Sequence, residues 1–235
     1  MHFARLAVLG LTIGTLAAAC CFTGCGGSET TPAAATKTAA ASSPDNAASV
    51  AITPTAATRP ARPKPVDPIV IVHTSLGDIQ VQLFAEKAPV TVDNFLRNYV
   101  ERGFYAGTIF HHVDAGSIVI AGGYSADFSP KETRTGIFSE ANNGLANKRS
   151  TIAMIRDPSD PRSATSQFFI NVVDNPALDY QSDESPEAWG YCVFGQVIAG
   201  MDVVDKIAHS AASAQGEFAL APTEPIVIQS IEQIR

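Results

Sequence analysis

Short apolar stretches with the two-residue period of β-strands recur through the second two thirds of the chain. The first of them, Ile69–Thr74, is followed by a polar turn and an alternating run at 79–84, and this arrangement predicts a β-hairpin. The same pattern predicts further strands at 108–113, 117–121, 151–155, 167–172, 192–198 and 225–234.

Two segments instead have the period of an α-helix. The first starts near Pro89, presents one apolar face and stops at Gly103, and the second covers 201–209. The apolar face of the first consists of Val92, Phe95, Leu96, Tyr99 and Val100. Many short strands with two helices predict a mainly β domain at 69–235, either a barrel or a sandwich capped by helices.

The first 25 residues predict export. A short basic start precedes an apolar run at 6–19, which is the design of a secretory signal and is short for a membrane span. The run ends in Phe22-Thr23-Gly24-Cys25, which resembles a bacterial lipobox and predicts lipidation of Cys25. Cys20 and Cys21 are alternative lipidated residues, and an ordinary secreted protein or an uncleaved anchor is the alternative to lipidation. The predicted location is the cell envelope, at the periplasmic or extracellular face of a membrane.

The segment 26–68 has the composition of a linker. It has no aromatic residue, is rich in Ala, Thr, Ser and Pro, and holds seven of the fifteen prolines. Such a segment has too little apolar surface to offset its ordering entropy, so we expect a disordered spacer with an extended proline-rich end at 59–65. A proline-rich ligand for a partner is the alternative interpretation.

The predicted domain is acidic. From Ile69 onward the chain has 11 basic and 20 acidic side chains, a formal charge of −9. Nucleic acid binding depends on lysine and arginine that displace counterions, so this balance argues against a nucleic acid partner. Cys192 is the single cysteine of the domain, and no cysteine or histidine cluster has the spacing of a zinc site, so no metal is predicted.

Specific segments of the domain carry more information than its periodicity. They resemble motifs of the cyclophilins, occur in the same order, and extend the similarity over essentially all of 69–235. The segments are 88–95 (APVTVDNF), 103–111 (GFYAGTIFH), 140–145 (EANNGL), 166–171 (SQFFIN), 191–195 (YCVFG) and 200–204 (GMDVV). The resemblance implies a closed eight-stranded antiparallel β-barrel capped by two α-helices, and peptidyl-prolyl cis–trans isomerase activity.

The implied reaction makes modest chemical demands. The barrier to rotation about a peptide bond is about 18–20 kcal/mol because the C–N bond is partly double. Lowering it requires an apolar pocket for the pyrrolidine ring, a grip on the carbonyl oxygen, and a donor near the prolyl nitrogen. No nucleophile, metal or cofactor is needed. The expected partners are proline-containing peptide segments of exported proteins, bound by a monomeric domain.

The chain departs from the family at several of the implied positions. The family has an arginine after Phe-His as the donor, whereas this chain has His112. In the following segment Ser117 stands where the family has Phe, Ile118 where it has Met, and Ile120 where it has Gln. Ala177 replaces the usual large aromatic residue before Leu178.

The resemblance nevertheless implies a set of site residues. His112 and Gln167 are the predicted catalytic residues. The predicted substrate-binding residues are Phe110, Ile118, Ile120, Met154, Phe169, Leu178 and Tyr191. If His112 replaces the arginine, activity should rise as pH falls through about 6.5, because only the protonated ring is charged. Arg156 is a candidate to restore the missing charge.

Three functions are compatible with these residues. The first is an isomerase of reduced activity that acts on exported proteins at the cell envelope. The second is a non-catalytic module or holdase that binds proline peptides, and the third is a scaffold built on the same barrel. The missing arginine and glutamine favour the second, whereas the retained groove residues favour either of the first two.

Overall fold

The computed structural model describes residues 67–234 of the 235-residue chain. The predicted signal segment, the candidate lipidation site Cys25 and all but the last two residues of the predicted linker lie outside the described residues. Those last two residues contact the second strand, where Leu83 donates a backbone hydrogen bond to the Pro68 carbonyl. No helix within 67–234 has the length and apolarity needed to cross a membrane.

Eight antiparallel strands of the described region close into a barrel, which confirms the predicted fold. Around the barrel the strands follow the order β1, β10, β3, β4, β6, β5, β7, β2. Their bounds are β1 Ile69–Thr74, β2 Gly77–Leu83, β3 Thr108–Val113, β4 Ile118–Ser125, β5 Thr151–Met154, β6 Phe168–Asn171, β7 Val193–Ala199 and β10 Ile226–Gln233. Closure leaves every strand paired on both sides.

Helices accompany the barrel at the two positions that the sequence predicts. The first begins as α1 (Pro89–Asp93), with Pro89 in the first turn, and continues as a wider π-helical segment, Asn94–Val100. The π geometry is visible where the Glu101 amide bonds to the Leu96 carbonyl, five residues back. The second helix is α2 (Met201–Ala208), which buries Val203, Val204, Ile207 and Ala208.

Aromatic rings fill the space between the first helix and the barrel. Phe95 lies 5.3 Å from Tyr105 and 5.3 Å from Phe194, measured between ring centroids. Phe168 meets Tyr105 edge-on at 5.6 Å. All four side chains are fully buried. Burying each such side chain stabilises the fold by roughly 1.5–3 kcal/mol, so this cluster anchors the helix to the barrel.

A second, two-stranded sheet lies outside the barrel and was not predicted. It consists of β8 (Ala212–Gln215) and β9 (Phe218–Pro222), and most of its side chains are exposed. Small residues and the absence of apolar alternation explain why the sequence pattern does not reveal it. Strand β4 also extends four residues beyond its predicted end, because Gly122 and Gly123 interrupt the apolar pattern but not the pairing.

A substitution at Gly200, the residue before α2, tests how tightly this helix is fixed to the barrel. Gly200 has φ +86°, and a Cβ there would lie 2.3 Å from the Asp78 carbonyl oxygen. Gly144 has a similar φ of +80° with no heavy atom within 4 Å of its Cβ position. Gly144→Ala should lower the free energy of unfolding by about 1 kcal/mol, because it adds left-handed strain alone. Gly200→Ala should lower the free energy of unfolding, measured in urea, by at least twice as much. Equal losses in the two variants would contradict this explanation.

Candidate active site

A row of cross-strand partners crosses five neighbouring strands on one face of the barrel. His112 on β3 pairs with Ile120 on β4, and Ile120 pairs with Phe169 on β6. Phe169 then pairs with Ala153 on β5, and Ala153 with Val193 on β7. Directly opposed residues of paired strands point to the same face, so these five side chains form one continuous line.

The line lies on the outer face of the barrel. The alternate residues of the same strands, such as Val119, Phe168 and Met154, belong to the core inside the barrel. On β3 the register shifts between Phe110 and His112. This irregularity leaves Phe110 in the core, whereas His111 and His112 both belong to the outer surface.

All residues of the line except His112 belong to a second apolar cluster that is separate from the core, and we call the surface of this cluster the groove. Its buried members are Ala153, Phe169 and Val193, and its partly exposed members are Ile118, Ile120, Leu145, Ile155, Leu178 and Tyr191. Five of these are predicted substrate-binding residues: Ile118, Ile120, Phe169, Leu178 and Tyr191. Ala153 and Val193 were missed, although each alternates with a large core residue along its strand and is thereby marked as outward-facing.

Two predicted substrate-binding residues lie elsewhere. Phe110 is fully buried and Met154 is 2% exposed, and both belong to the core inside the barrel. Each is adjacent in sequence to an outer-face residue, so the two-residue period turns its own side chain inward. We therefore correct their assignment: they support the groove from beneath and have no surface that a peptide can contact.

Gln167 reaches over the outer face next to the row. Its side chain lies against Gly123, where a Cβ would come within 2.6 Å of the Gln167 Cγ and Cδ atoms. Glycine at this position thus makes room for the amide. Within the described residues the Gln167 side-chain amide has no hydrogen-bond partner, so both its oxygen and its nitrogen are available to a peptide.

His112 is half-buried at the β3 end of the row. Burial lowers its pKa below the ordinary value, and the nearby Asp114 carboxylate opposes this effect only in part. The ring is therefore neutral near pH 7 and offers one N–H donor. Its side chain makes no hydrogen bond within the described part of the chain, so that donor is free to meet a ligand.

Arg156 does not restore the missing charge, which corrects the sequence-based suggestion. Its side chain is 5% exposed and donates hydrogen bonds to four backbone carbonyls, those of Asp157, Pro158, Pro186 and Gly190. The guanidinium also lies 5.3 Å from the centre of the Tyr191 ring. Arg156 thus holds together two loops behind the groove wall, and four of its five N–H donors are already used.

The far wall of the groove is held by a buried asparagine that the sequence analysis did not single out. Asn147 is 1% exposed, and its side-chain amide donates to the Leu178 carbonyl at 3.0 Å and to the Tyr191 carbonyl at 3.4 Å. The Tyr191 ring then packs edge-on against Phe169 at 5.7 Å. These contacts fix the two exposed wall residues, Leu178 and Tyr191, relative to the floor of the groove.

This geometry suits a peptide with an apolar ring. Apolar side chains cluster on the outer face, while His112 and Gln167 present unused polar groups beside them. No group of three or more His, Cys, Asp or Glu side chains within residues 67–234 is placed to hold a metal ion. The fold and site together define a closed β-barrel with an apolar cluster on its outer face that suits a peptide.

Comparison with known proteins identifies the family. The family model for cyclophilin type peptidyl-prolyl cis-trans isomerases matches residues 69–233. Peptidyl-prolyl cis-trans isomerase B of Escherichia coli is 49% identical over 163 residues, which is 69% of this chain and 98% of that protein. Peptidyl-prolyl cis-trans isomerase cyp18 of Streptomyces antibioticus is 46% identical over 158 residues, covering 67% of this chain and 93% of that protein. The chain belongs to the cyclophilin-type peptidyl-prolyl cis–trans isomerases, a family of enzymes.

Solved structures agree on the fold. A Cryptosporidium parvum cyclophilin type isomerase superimposes with a TM-score of 0.58 and 23% identity, covering 72% of this chain and 98% of that one. The same protein, crystallised in the presence of the dipeptide Ala-Pro, superimposes with a TM-score of 0.58 and 24% identity, covering 71% and 99% of the two chains. At this identity the likeness concerns the barrel architecture.

His111, directly before His112, makes the stability of the domain pH-dependent. It is 5% exposed, lies 4.8 Å from Tyr124 and 5.4 Å from Phe218 between ring centroids, and its Nδ1 atom has no partner within the described residues. Burial, together with the neighbouring charge of His112, lowers the pKa of His111 to about 4. The folded state therefore keeps this ring neutral where an unfolded chain protonates it.

Lowering the pH should destabilise wild type more than a His111→Phe variant. The unfolded ring takes up a proton below about pH 6.5 and the folded one only near pH 4, so stability is lost as pH falls through this window. The shift corresponds to a loss of about 3 kcal/mol. Urea unfolding at pH 7.5, 6, 5 and 4.5 measures it, and parallel pH curves for the two proteins would contradict the assignment.

Proposed function

We propose that this isomerase rotates X–Pro bonds in the outer-face groove with a donor weaker than the arginine of its relatives. The observation that carries the proposal is the cross-strand row, which places His112 directly beside the apolar floor formed by Ile120 and Phe169. A pyrrolidine ring on that floor would have the His112 N–H at one end. Gln167 would lie beside it as a partner for the peptide backbone.

The proposed mechanism needs only non-covalent contacts. The apolar floor holds the proline ring in both the planar and the twisted states of the amide. A hydrogen bond from His112 to the prolyl nitrogen forms only when the lone pair leaves conjugation, so it stabilises the twisted state selectively. A donor from the Gln167 amide stabilises charge on the substrate backbone, and the partial exclusion of water strengthens both contacts.

Three observations support reduced activity. The neutral His112 ring offers one donor in place of the charged five-donor fork of arginine. Ile120 lies directly between His112 and Phe169, so an apolar side chain stands where the family has a glutamine that can make a polar contact. Arg156 uses four of its five donors on backbone carbonyls. Each lost contact corresponds to about 1–3 kcal/mol, or roughly ten- to hundredfold in rate.

A non-catalytic binding module is the second candidate. The specific observation in its favour is that the described residues form one apolar cluster on the outer face, while no charged donor lies in the row of His112, Ile120, Phe169, Ala153 and Val193. Apolar contacts bind the planar and twisted amides alike, so they give affinity without acceleration. Measured isomerisation distinguishes the two candidates.

Variants of His112 test the catalytic assignment. His112→Arg should raise kcat/KM about tenfold and make it independent of pH between 5.5 and 8, because arginine stays charged. Wild-type activity should rise only below pH 6.5, since burial lowers the pKa of His112. His112→Ala should be slower and pH-independent. The measurement follows cis-to-trans conversion of a proline peptide by the full chain, with unfolding monitored at each pH.

Two outcomes would contradict this assignment. Equal rates for wild type and His112→Ala would remove His112 from the mechanism. No acceleration by wild type, with peptide binding still seen in NMR titration, would establish the binding module instead.

We further propose that the protein is a lipid-anchored component of the cell envelope whose clients are exported proteins. The support comes from the basic start, apolar run and Cys25 motif, followed by a proline-rich stretch long enough to hold the barrel away from a membrane. A monomeric domain is proposed because the barrel of the described region is closed and its strands are all paired.

Labelling with palmitate tests the anchor. Wild type, Cys20→Ser and Cys21→Ser should incorporate the label, and Cys25→Ser should not, because the acylated thiol is absent. Label that persists in Cys25→Ser would move the site to another cysteine. Absence of label in all four proteins would indicate an ordinary secreted form or an uncleaved anchor.

A further inference from the structure

Three aromatic rings form a wall beside the groove that the proposed mechanism does not use. Tyr124 at the end of β4 lies 4.8 Å from Phe218 of β9, and Phe128 lies 5.3 Å from Phe218, between ring centroids. All three side chains are half-buried. We call Tyr124, Phe128 and Phe218 the aromatic wall.

The aromatic wall lies against the direct neighbours of both polar site residues. Phe218 and Tyr124 pack on His111, the immediate neighbour of His112. Tyr124 also follows Gly123, over which the Gln167 side chain lies. Tyr191 stands before β7, at the other end of the cross-strand row. The wall therefore lies next to His111, at the His112 end of the row and opposite the end at which Tyr191 stands.

The backbone of Phe128 indicates that its ring is retained for more than packing. Phe128 has φ +62°, a left-handed conformation that is unfavourable for a bulky residue and free of strain for glycine. The turn is held by the Phe128 amide bonding to the Ser125 carbonyl at 2.8 Å, and by Asp127 accepting from Ser125 and Ser129. Strain of this kind persists at sites where the side chain has a function.

The charges around the aromatic wall restrict what it accepts. Burial and then the charge of Glu217 raise the pKa of Tyr124, so this carboxylate lies close to the wall. Asp114 lies near His112 on the same side. Lys131 is the lysine nearest in sequence to Phe128, and its ammonium group donates hydrogen bonds to the Phe104 and Ala106 carbonyls. An acidic side chain would thus be repelled, and an apolar or aromatic one would gain ring contacts.

We propose that the aromatic wall is a specificity subsite for the side chain that flanks the substrate proline at the His112 end. It accepts aromatic and large aliphatic side chains and disfavours acidic ones. This inference rests on the proposed function, because it assumes that the proline ring occupies the floor formed by Ile120 and Phe169. It adds a determinant of substrate choice that is built partly from β9, outside the barrel.

Peptides that differ only beside the proline test the subsite. One set carries Phe, Ala or Asp before the proline, and a second set carries them after it. For wild type, Phe should raise kcat/KM over Ala about tenfold in one set, with Asp below Ala. In Phe218→Ser, kcat/KM for the Phe peptide should be no more than about twice kcat/KM for the Ala peptide. Leu76→Ser removes an exposed apolar side chain from the β1–β2 turn and should keep the wild-type ratio.

Phe128→Gly separates strain from function. Glycine relieves the left-handed strain, so the Tm should not fall, whereas the ratio of Phe to Ala should fall at least threefold. A lower Tm with an unchanged ratio would assign the ring to packing and overturn its place in the subsite. The same result for Phe218→Ser would mean that Phe218 only covers His111.

The affinities of the same peptides, measured by NMR titration, keep this test independent of catalysis. If wild type accelerates none of the peptides, the proposed function fails, but a ratio of affinities that depends on Phe218 still supports the subsite. If wild type shows no preference in either peptide set, by rate or by affinity, the subsite is overturned while the isomerase assignment stands.

Discussion

Closure of the sheet into a barrel couples the core to the groove, because each strand has one inward and one outward set of side chains. Moving β6 by one residue would place Phe169 inside and Phe168 outside, and the same slip in any other groove strand would invert the two faces of that strand. The large buried rings inside the barrel therefore fix the register that aligns the outer row. The irregularity in β3 adds one exception, since it turns two consecutive residues, His111 and His112, to the outer face.

The charges of the domain stabilise structure more than they contribute to chemistry. Arg156, the buried guanidinium nearest to the groove, uses its donors on four carbonyls of two loops and packs on Tyr191. Its desolvation is offset only by these bonds, so it cannot turn toward a substrate without leaving buried carbonyls unpaired. The groove is left with neutral donors, and its walls are held by Arg156 and Asn147 from behind.

Sequence reasoning recovers those features that follow from local pattern and motif. Strand periodicity located all eight barrel strands, and the motifs selected a closed barrel over a sandwich. The structure brings five of the predicted substrate-binding residues, among them Phe169 and Tyr191, into one apolar cluster. Phe110 and Met154 were misplaced because a motif match does not state which face a residue occupies. The β8–β9 sheet and the bonds of Arg156 depend on contacts between segments far apart in sequence, which no local pattern encodes.

Under the proposed function, the apolar residues of the groove and the donor at His112 would affect different kinetic parameters. If a proline ring occupies the proposed groove, Ile118, Ile120, Phe169 and Leu178 would contact it to a similar extent in the planar and twisted states and would set affinity. Under the proposed mechanism, the His112 donor would act mainly on the twisted state, so a weaker donor would lower kcat while leaving KM nearly constant. A neutral hydrogen bond is roughly half as strong as a charge-assisted one, so the twisted state keeps part of its stabilisation. Under the proposed function, the site would therefore lose more catalysis than affinity, because the weakened contact is the one made mainly in the twisted state.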